Sequence, residues 1–306
     1  MKKEAKNTIV FLVVLTFFFV LVDIVFGKVA LSILLGMPPA PNELARRNYA
    51  LNKSEDDCLI LGSSRATHHY SPSIIHDSLN ISVYNAGLDG HGISYVDGVL
   101  KIRTQRFKPS LIILECSSFE LQNTWLNSIN SLKPYYELYP QALELSQIVT
   151  GKEEKFKSRF AFYRFNSTLL PMIKTFFSSS EDTNKGYVPL ETAKSKIVVN
   201  DQPTDSPIFQ IDSISDKLLV DFVTTCKKEN IKLVVCCSPI MGDSKNVVSV
   251  LSDRFKELEV PFFDYSNDTT FINHPQQLFK DNTHLNKQGA EIYSKVVAHR
   301  IKGLLD

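Results

Sequence analysis

Three short apolar runs constrain this chain more than anything else in it. "CLIL" at Cys58–Leu61, "LIIL" at Leu111–Leu114 and "LVVCC" at Leu233–Cys237 are unbroken, and each is cut off by Gly, Ser or Pro soon afterwards. A strand with one face in water alternates apolar and polar residues, whereas a strand that is apolar throughout has both faces covered. Between and around these runs, "SPSIIHDSL", "ISYVDGVLKIRTQRF" and "SISDKLLVDFVTTCKKEN" carry apolar residues at helical spacing, and "ISVYN" and "VPFFDYS" read as two further strands. Strands that alternate with helices and are buried on both faces predict an α/β domain: a parallel sheet of about five strands with helices on either side.

The first run stops abruptly at Gly62-Ser63-Ser64-Arg65. Sharp turns at the carboxyl ends of strands are where open α/β sheets hold their reacting groups. A serine there becomes a nucleophile only when a base is supplied, and one is found far downstream in "FKDNTHLNKQGAEIYSKVV". Asp281 and His284 stand three apart in that stretch, just ahead of an amphipathic helix. A carboxylate that orients an imidazole, an imidazole that takes a proton and a hydroxyl that attacks make up an activated oxygen nucleophile. The predicted catalytic residues are therefore Ser64, His284 and Asp281.

These two stretches resemble the SGNH (GDSL-like) hydrolase superfamily, whose first block is a strand followed by Gly-Asp-Ser and whose last is Asp-x-x-His before a helix. Gly62-Ser63-Ser64 matches the first block with Ser63 in place of the aspartate, and Asp281-Asn282-Thr283-His284 matches the last in full. The "GSSR" wording, "THLNKQGA" and the amino-terminal apolar segment most resemble membrane-anchored members, of the DltD-like and polysaccharide O-acetylation type. The matching blocks cover about Asp57 to Leu121 and Ile231 to Ile301, leaving the middle unexplained.

The resemblance implies a three-layer flavodoxin-like sandwich and serine ester chemistry with no cofactor. It also implies an oxyanion hole built from Ser64 and Gly87, the glycine matched to the second block. The third block departs from the family: where many members have Gly-x-Asn-Asp, this chain has Glu115-Cys116-Ser117-Ser118. Either Ser117 or a backbone group replaces the missing asparagine or turnover is slower, since losing one oxyanion donor costs about a hundred- to a thousandfold. Arg65 is expected to bind substrate or to form a structural ion pair. Glu115 and Glu120 are expected as solvated acids at a strand end, or as contacts to substrate or Arg65.

After Lys2, Lys3 and Lys6, the run "TIVFLVVLTFFFVLV" precedes Asp23 and a further apolar stretch. Thr8 to Gly27 supplies the about 20 apolar residues that a membrane span needs. An uncleaved anchor is favoured over a cleaved signal because no small-x-small cleavage site follows. The leading lysines predict a cytoplasmic amino terminus and an extracytoplasmic domain. Residues 1–36 thus read as the anchor, 37–54 as a Pro-rich and charged stalk, and 55–306 as the α/β domain with an insertion at about 123–213. Within the insertion, "NTWLNSINSLKPYYELYPQALELSQIVTG" and "KFKSRFAFYRFNSTLLPMIKTFF" read as aromatic-rich helices. Their aromatic and basic residues either form a core face or meet a glycan, an anionic polymer or the membrane. Ser178 to Pro207 reads as a surface loop or partly mobile lid.

With 34 basic and 33 acidic side chains the net charge is +1, so no overall field gathers nucleic acid. Cys58, Cys116, Cys226, Cys236 and Cys237 lack metal-type spacing and read as small buried hydrophobes. His68, His69 and His91 lie near the first two blocks without a metal-ligand pattern, and no metal is expected. The chain therefore reads as a membrane-anchored serine esterase or O-acyltransferase acting on a cell-envelope glycan or acylated polymer. The alternative is a weakly active or inactive SGNH-like module that presents a glycan to a membrane-bound O-acyltransferase. Phosphoryl or sulfuryl ester chemistry ranks last, for want of a metal or an arginine cluster.

Overall fold

The computed structural model describes residues 2–122, 125–177, 181–192, 209–242 and 244–305. At its centre is a five-stranded parallel sheet in the order β2-β1-β3-β4-β5. The strands are β1 Cys58–Leu61, β2 Val83–Asn85, β3 Leu111–Glu115, β4 Lys232–Cys237 and β5 Phe262–Asp264. The α/β class and the parallel sheet read from the apolar runs are those observed.

Side chains alternate between the two faces of the sheet, which explains why the runs are apolar throughout. Leu59, Leu61, Ile112, Leu114, Leu233 and Val235 join a core with the helices Ile93–Arg103, Ser213–Lys228 and Lys245–Glu257. Cys58, Ile60, Leu111, Ile113, Val234 and Cys236 join a second core with the helices Pro72–Leu79 and Lys287–Leu305. Each large aliphatic side chain buried in this way contributes about 1.5–3 kcal/mol. From β1 the chain runs outward to β2, then crosses back to lay β3 on the other side of β1. That reversal opens a crevice above the carboxyl ends of β1 and β3.

Residues 37–54 are not a stalk. They contain the helix Glu43–Asn52, whose first turn is capped by Asn42 Oδ1 accepting the Ala45 N–H at 3.0 Å. Leu44, Ala45, Ala50 and Leu51 are in the first core, and Arg46 donates to the Gly186 carbonyl at 2.9 Å. Arg46 thus covers a buried carbonyl, Arg47 pairs with Glu43 at 3.2 Å, and the helix packs into the core of the α/β domain. Preceding it, Lys2–Gly36 is one continuous helix. Among the described residues it is the one helix long and apolar enough to cross a membrane.

The insertion is a set of short helices, Trp125–Asn130, Pro140–Thr150, Glu153–Lys157, Ala161–Phe165 and Leu169–Phe176, rather than two long ones. Tyr135, Tyr136 and Phe165 face the core, while Phe156, Phe160, Phe162, Phe176 and Phe177 are exposed. Of the segment expected as a loop or lid, residues 181–192 form a strap tied down at three points. Asn85 N–H donates to Lys185 O at 2.9 Å, Val188 N–H to Thr67 O at 3.1 Å and Lys287 N–H to Leu190 O at 2.7 Å. The rest of that expectation falls on 178–180 and 193–207, outside the described residues. All five cysteines are free and buried.

Candidate active site

Gly62 turns the chain at the end of β1 with φ at +141°, and a Cβ there would come within 2.7 Å of the Glu115 carbonyl. Only glycine is compatible with both. The turn sets Ser63 at the cap and Ser64 at the start of the helix Ser64–His69. Ser64 Oγ lies 2.8 Å from His284 Nε2, and His284 Nδ1 lies 3.0 Å from each oxygen of Asp281. A carboxylate facing Nδ1 accepts a hydrogen bond from its N–H, which leaves Nε2 with a free lone pair toward the serine O–H. The structure therefore brings Ser64, His284 and Asp281 into one hydrogen-bonded line.

The Asp281 carboxylate also accepts the backbone N–H of Thr283 at 2.8 Å, that of His284 at 2.9 Å and the Thr283 hydroxyl at 2.9 Å. Partial burial pushes this carboxyl up, but the Thr283 N–H and the His284 imidazole outweigh it and hold the group below the ordinary carboxylate range. The loop is fixed from behind by Asn286. Its side-chain amide donates to Gln277 O at 2.7 Å, and its Oδ1 accepts the Gly289 N–H at 3.0 Å, opening the helix Lys287–Leu305.

The expected oxyanion donors are arranged differently. Gly87 N–H donates to Asn85 Oδ1 at 3.0 Å, and a Cβ at Gly87 would meet Thr67 N at 2.7 Å and Ala66 Cβ at 2.8 Å. Gly87 is thus a packing glycine. The glycine of that turn that reaches the corner is Gly90, at φ +72°, whose N–H donates to Ser63 Oγ at 3.1 Å. Ser117 does line the cleft with Ser64 and His284, but its N–H and hydroxyl both go to Glu120 Oε2, at 2.7 and 2.6 Å. The Ser64 N–H, in the first turn of its helix, has no intrahelical acceptor and remains a donor at the mouth of the site. The cleft encloses about 400 Å³, with Phe119, Ile240 and Val247 as its apolar walls.

Arg65 lines the cleft beside Ser64, and its guanidinium forms the expected structural ion pair. That group is buried, 3.0 Å from Glu115 Oε1, and donates to Ser238 O at 3.2 Å. Glu115, expected as a solvated acid or a contact, is fully buried in the second of those roles. It also accepts from the Tyr70 hydroxyl, from Ser238 N–H at 3.1 Å and from Ser238 Oγ at 2.9 Å. Burial opposes charge on Arg65 but the adjacent Glu115 carboxylate outweighs it, so the guanidinium titrates above its ordinary range. Burial pushes Glu115 the other way, toward neutrality. Four donors around one carboxylate favour the ionised pair. Glu120 is buried too, spent on Ser117 and on the Ser63 N–H at 3.3 Å.

His69 is buried and takes part in this network, with Nδ1 2.8 Å from Ser238 Oγ. His68 stands beside His284, its ring nitrogens 2.6 Å from Val188 O and 3.0 Å from Asp89 Oδ2. Burial pushes the Asp89 carboxyl up, but the His68 hydrogen bond and charge outweigh it and bring it to about 2. Neither histidine has a sequence signal beyond its closeness to Ser64. Among the described residues no cluster of His, Cys, Asp or Glu is arranged to hold a metal ion.

No protein-family model matches this chain, and no curated protein matches it. Solved structures with a similar course include an acetyl xylan esterase, AlAXEase, at 12% identity over 81% of this chain and 100% of that one, TM-score 0.39. A lipase/acylhydrolase from Enterococcus faecalis is similar at 11% identity over 80% of this chain and 95% of that one, TM-score 0.40. The psychrotrophic esterase EstA from Pseudoalteromonas sp. is similar at 10% identity over 81% and 97%, TM-score 0.39. Likenesses of this size leave the activity to be argued from the chain's own residues.

Proposed function

We propose that this chain is a membrane-anchored serine esterase or O-acyltransferase that moves an acyl group on or off a cell-envelope glycan. One observation carries the reading: the 2.8 Å contact between Ser64 Oγ and His284 Nε2, with the Asp281 carboxylate on the far nitrogen of the ring. In the proposed reaction Ser64 Oγ attacks the ester carbonyl carbon while its proton passes to His284 Nε2. The imidazolium, steadied by Asp281, returns that proton to the departing alkoxide, leaving an acyl group on Ser64. Water or a sugar hydroxyl then gives its proton to His284 and attacks the acyl carbon, and the serine is restored. The choice of acceptor separates hydrolysis from transfer.

The glycan and the envelope rest on the resemblance of the "GSSR" and "THLNKQGA" stretches and on the single apolar helix Lys2–Gly36. The leading lysines favour a cytoplasmic amino terminus. A second reading, a module that presents a glycan to a membrane-bound O-acyltransferase, is favoured by one specific observation: the donors of Gly87 and Ser117 are already spent on Asn85 and Glu120. Turnover of p-nitrophenyl acetate, with and without an oligosaccharide acceptor, separates the two. The enzyme reading predicts turnover that falls by at least about a thousandfold in Ser64→Ala. Equal rates in the two proteins favour the presenting module.

A further inference from the structure

The helix Lys2–Gly36 does not leave the folded domain at its end. Asp23 accepts the Ala161 N–H at 2.8 Å and the Phe162 N–H at 2.9 Å, so it caps the helix Ala161–Phe165 from another element. Gly27 allows the approach: a Cβ there would stand 2.6 Å from Ala161 Cβ. Phe26 stacks on Phe162 at 4.3 Å, and Ala30 and Leu34 are buried in the core. The turns from Asp23 onward are therefore held against the insertion.

That docking sets a length problem. The apolar stretch Ile9–Val22, ahead of the docked Asp23, comes to about 21 Å at 1.5 Å per residue. A bilayer's hydrocarbon core is about 30 Å thick. The membrane has to reach over the docked turns as well, and what lies beside those turns is apolar and uncovered. Leu170, Ile173, Phe176 and Phe177 are 71%, 55%, 70% and 80% exposed. With Phe26, Val29 and Ile33, three of these four line one open apolar cleft of about 270 Å³. The segment 152–160, which leads into the helix that stacks Phe162 on Phe26, exposes Phe156 and Phe160 among Lys152, Glu153, Lys155, Lys157 and Arg159, with Lys157 paired to Glu153 at 3.4 Å. Aromatic rings interleaved with basic side chains suit the headgroup region, the rings at the acyl boundary and the cations on lipid phosphates.

From this we infer that the folded domain is seated in the membrane surface, with the helix Leu169–Phe176 and the aromatic segment 156–162 immersed at the boundary of an anionic lipid bilayer. The anchor and this face form one continuous lipid-contacting surface, and acyl chains fill the cleft between Phe26 and Phe177. This rests on the reading of Lys2–Gly36 as a membrane anchor.

The full-length protein tests it when reconstituted in vesicles of phosphatidylcholine and phosphatidylglycerol carrying brominated acyl chains. A fluorescent probe is placed on single introduced cysteines, Val13→Cys, Ile173→Cys, Phe177→Cys and Lys256→Cys; the five native thiols are buried and do not compete. The expected result is quenching at 13, 173 and 177 and none at 256, which is exposed on the helix beside β5. Quenching at 13 with none at 173 and 177 overturns the proposal while leaving the anchor intact, and assigns the face to a protein partner. No quenching at 13 removes the anchor reading and the proposal with it.

Discussion

His69 Nε2 accepts the backbone N–H of Leu285 at 2.9 Å, so a buried ring on the nucleophile's helix grips the residue after His284. That acceptor role puts the His69 proton on Nδ1, where it is donated to Ser238 Oγ at 2.8 Å. Ser238 donates in turn to Glu115, and Glu115 holds Arg65, the residue after Ser64. A continuous set of polar contacts thus ties the loop of the base to the helix of the nucleophile.

His69 is accordingly a positioning residue. In His69→Ala the Leu285 N–H loses its acceptor, at about 1–3 kcal/mol for a buried group left unpaired, while the Ser238 hydroxyl keeps its bond to Glu115. Ester kinetics should show kcat reduced by about ten- to a hundredfold with KM little changed, because a small displacement of the base is felt in the transition state. A variant whose Tm falls while kcat holds would assign His69 to stability alone.

The same ring makes stability depend on pH. Burial, reinforced by the nearby Arg65 charge, pushes His69 well below the ordinary imidazole range. The unfolded chain takes up a proton near pH 6.5 that the folded one refuses. The contribution is complete above that pH and declines as pH falls below it, by about 1.4 kcal/mol per unit until the folded group titrates. Between pH 7 and pH 5 the wild-type Tm should drop further than that of His69→Gln. Parallel curves would show that the ring titrates in the folded protein as it does in the unfolded one.

Asp281→Asn removes the acceptor that selects the His284 tautomer. A loss of about 10³–10⁴ in kcat with KM nearly constant is expected, following the behaviour of triads in which that carboxylate becomes an amide. A loss below about tenfold would mean that Thr283 Oγ1, 3.0 Å from the same nitrogen, orients the ring unaided.

Arg65→Met leaves the Glu115 carboxylate buried and unpaired. Chemical denaturation should register a destabilisation of about 3–5 kcal/mol, with part of it recovered in Arg65→Met/Glu115→Gln. Were Arg65 instead a substrate contact, KM would rise at unchanged stability.

What the sequence reveals and conceals follows from how far each interaction reaches along the chain. The strands are legible because burial on both faces removes polar residues from a local window, as in "LIILE" and "KLVVCC". Asp281 and His284 are legible because a three-residue spacing ahead of a helix is itself local. Glu43, Arg46 and Arg47 read as a solvated stalk because the partner of Arg46, the Gly186 carbonyl, is 140 residues away. Gly87 and Gly90 cannot be ranked by spacing, since only the fold shows which N–H is taken by Asn85 and which reaches Ser63. Arg65 and Glu115 look like surface charges until β3 and β4 are set side by side.

The central claim is that Ser64, and not its neighbour Ser63, is the oxygen that becomes acylated. Treating the intact protein with an activated fluorophosphonate and locating the adduct by peptide mass spectrometry tests it most directly. The account predicts one adduct, on Ser64, that is lost in Ser64→Ala and strongly reduced in His284→Ala. An adduct on Ser63, or none on the folded wild-type protein, would contradict it.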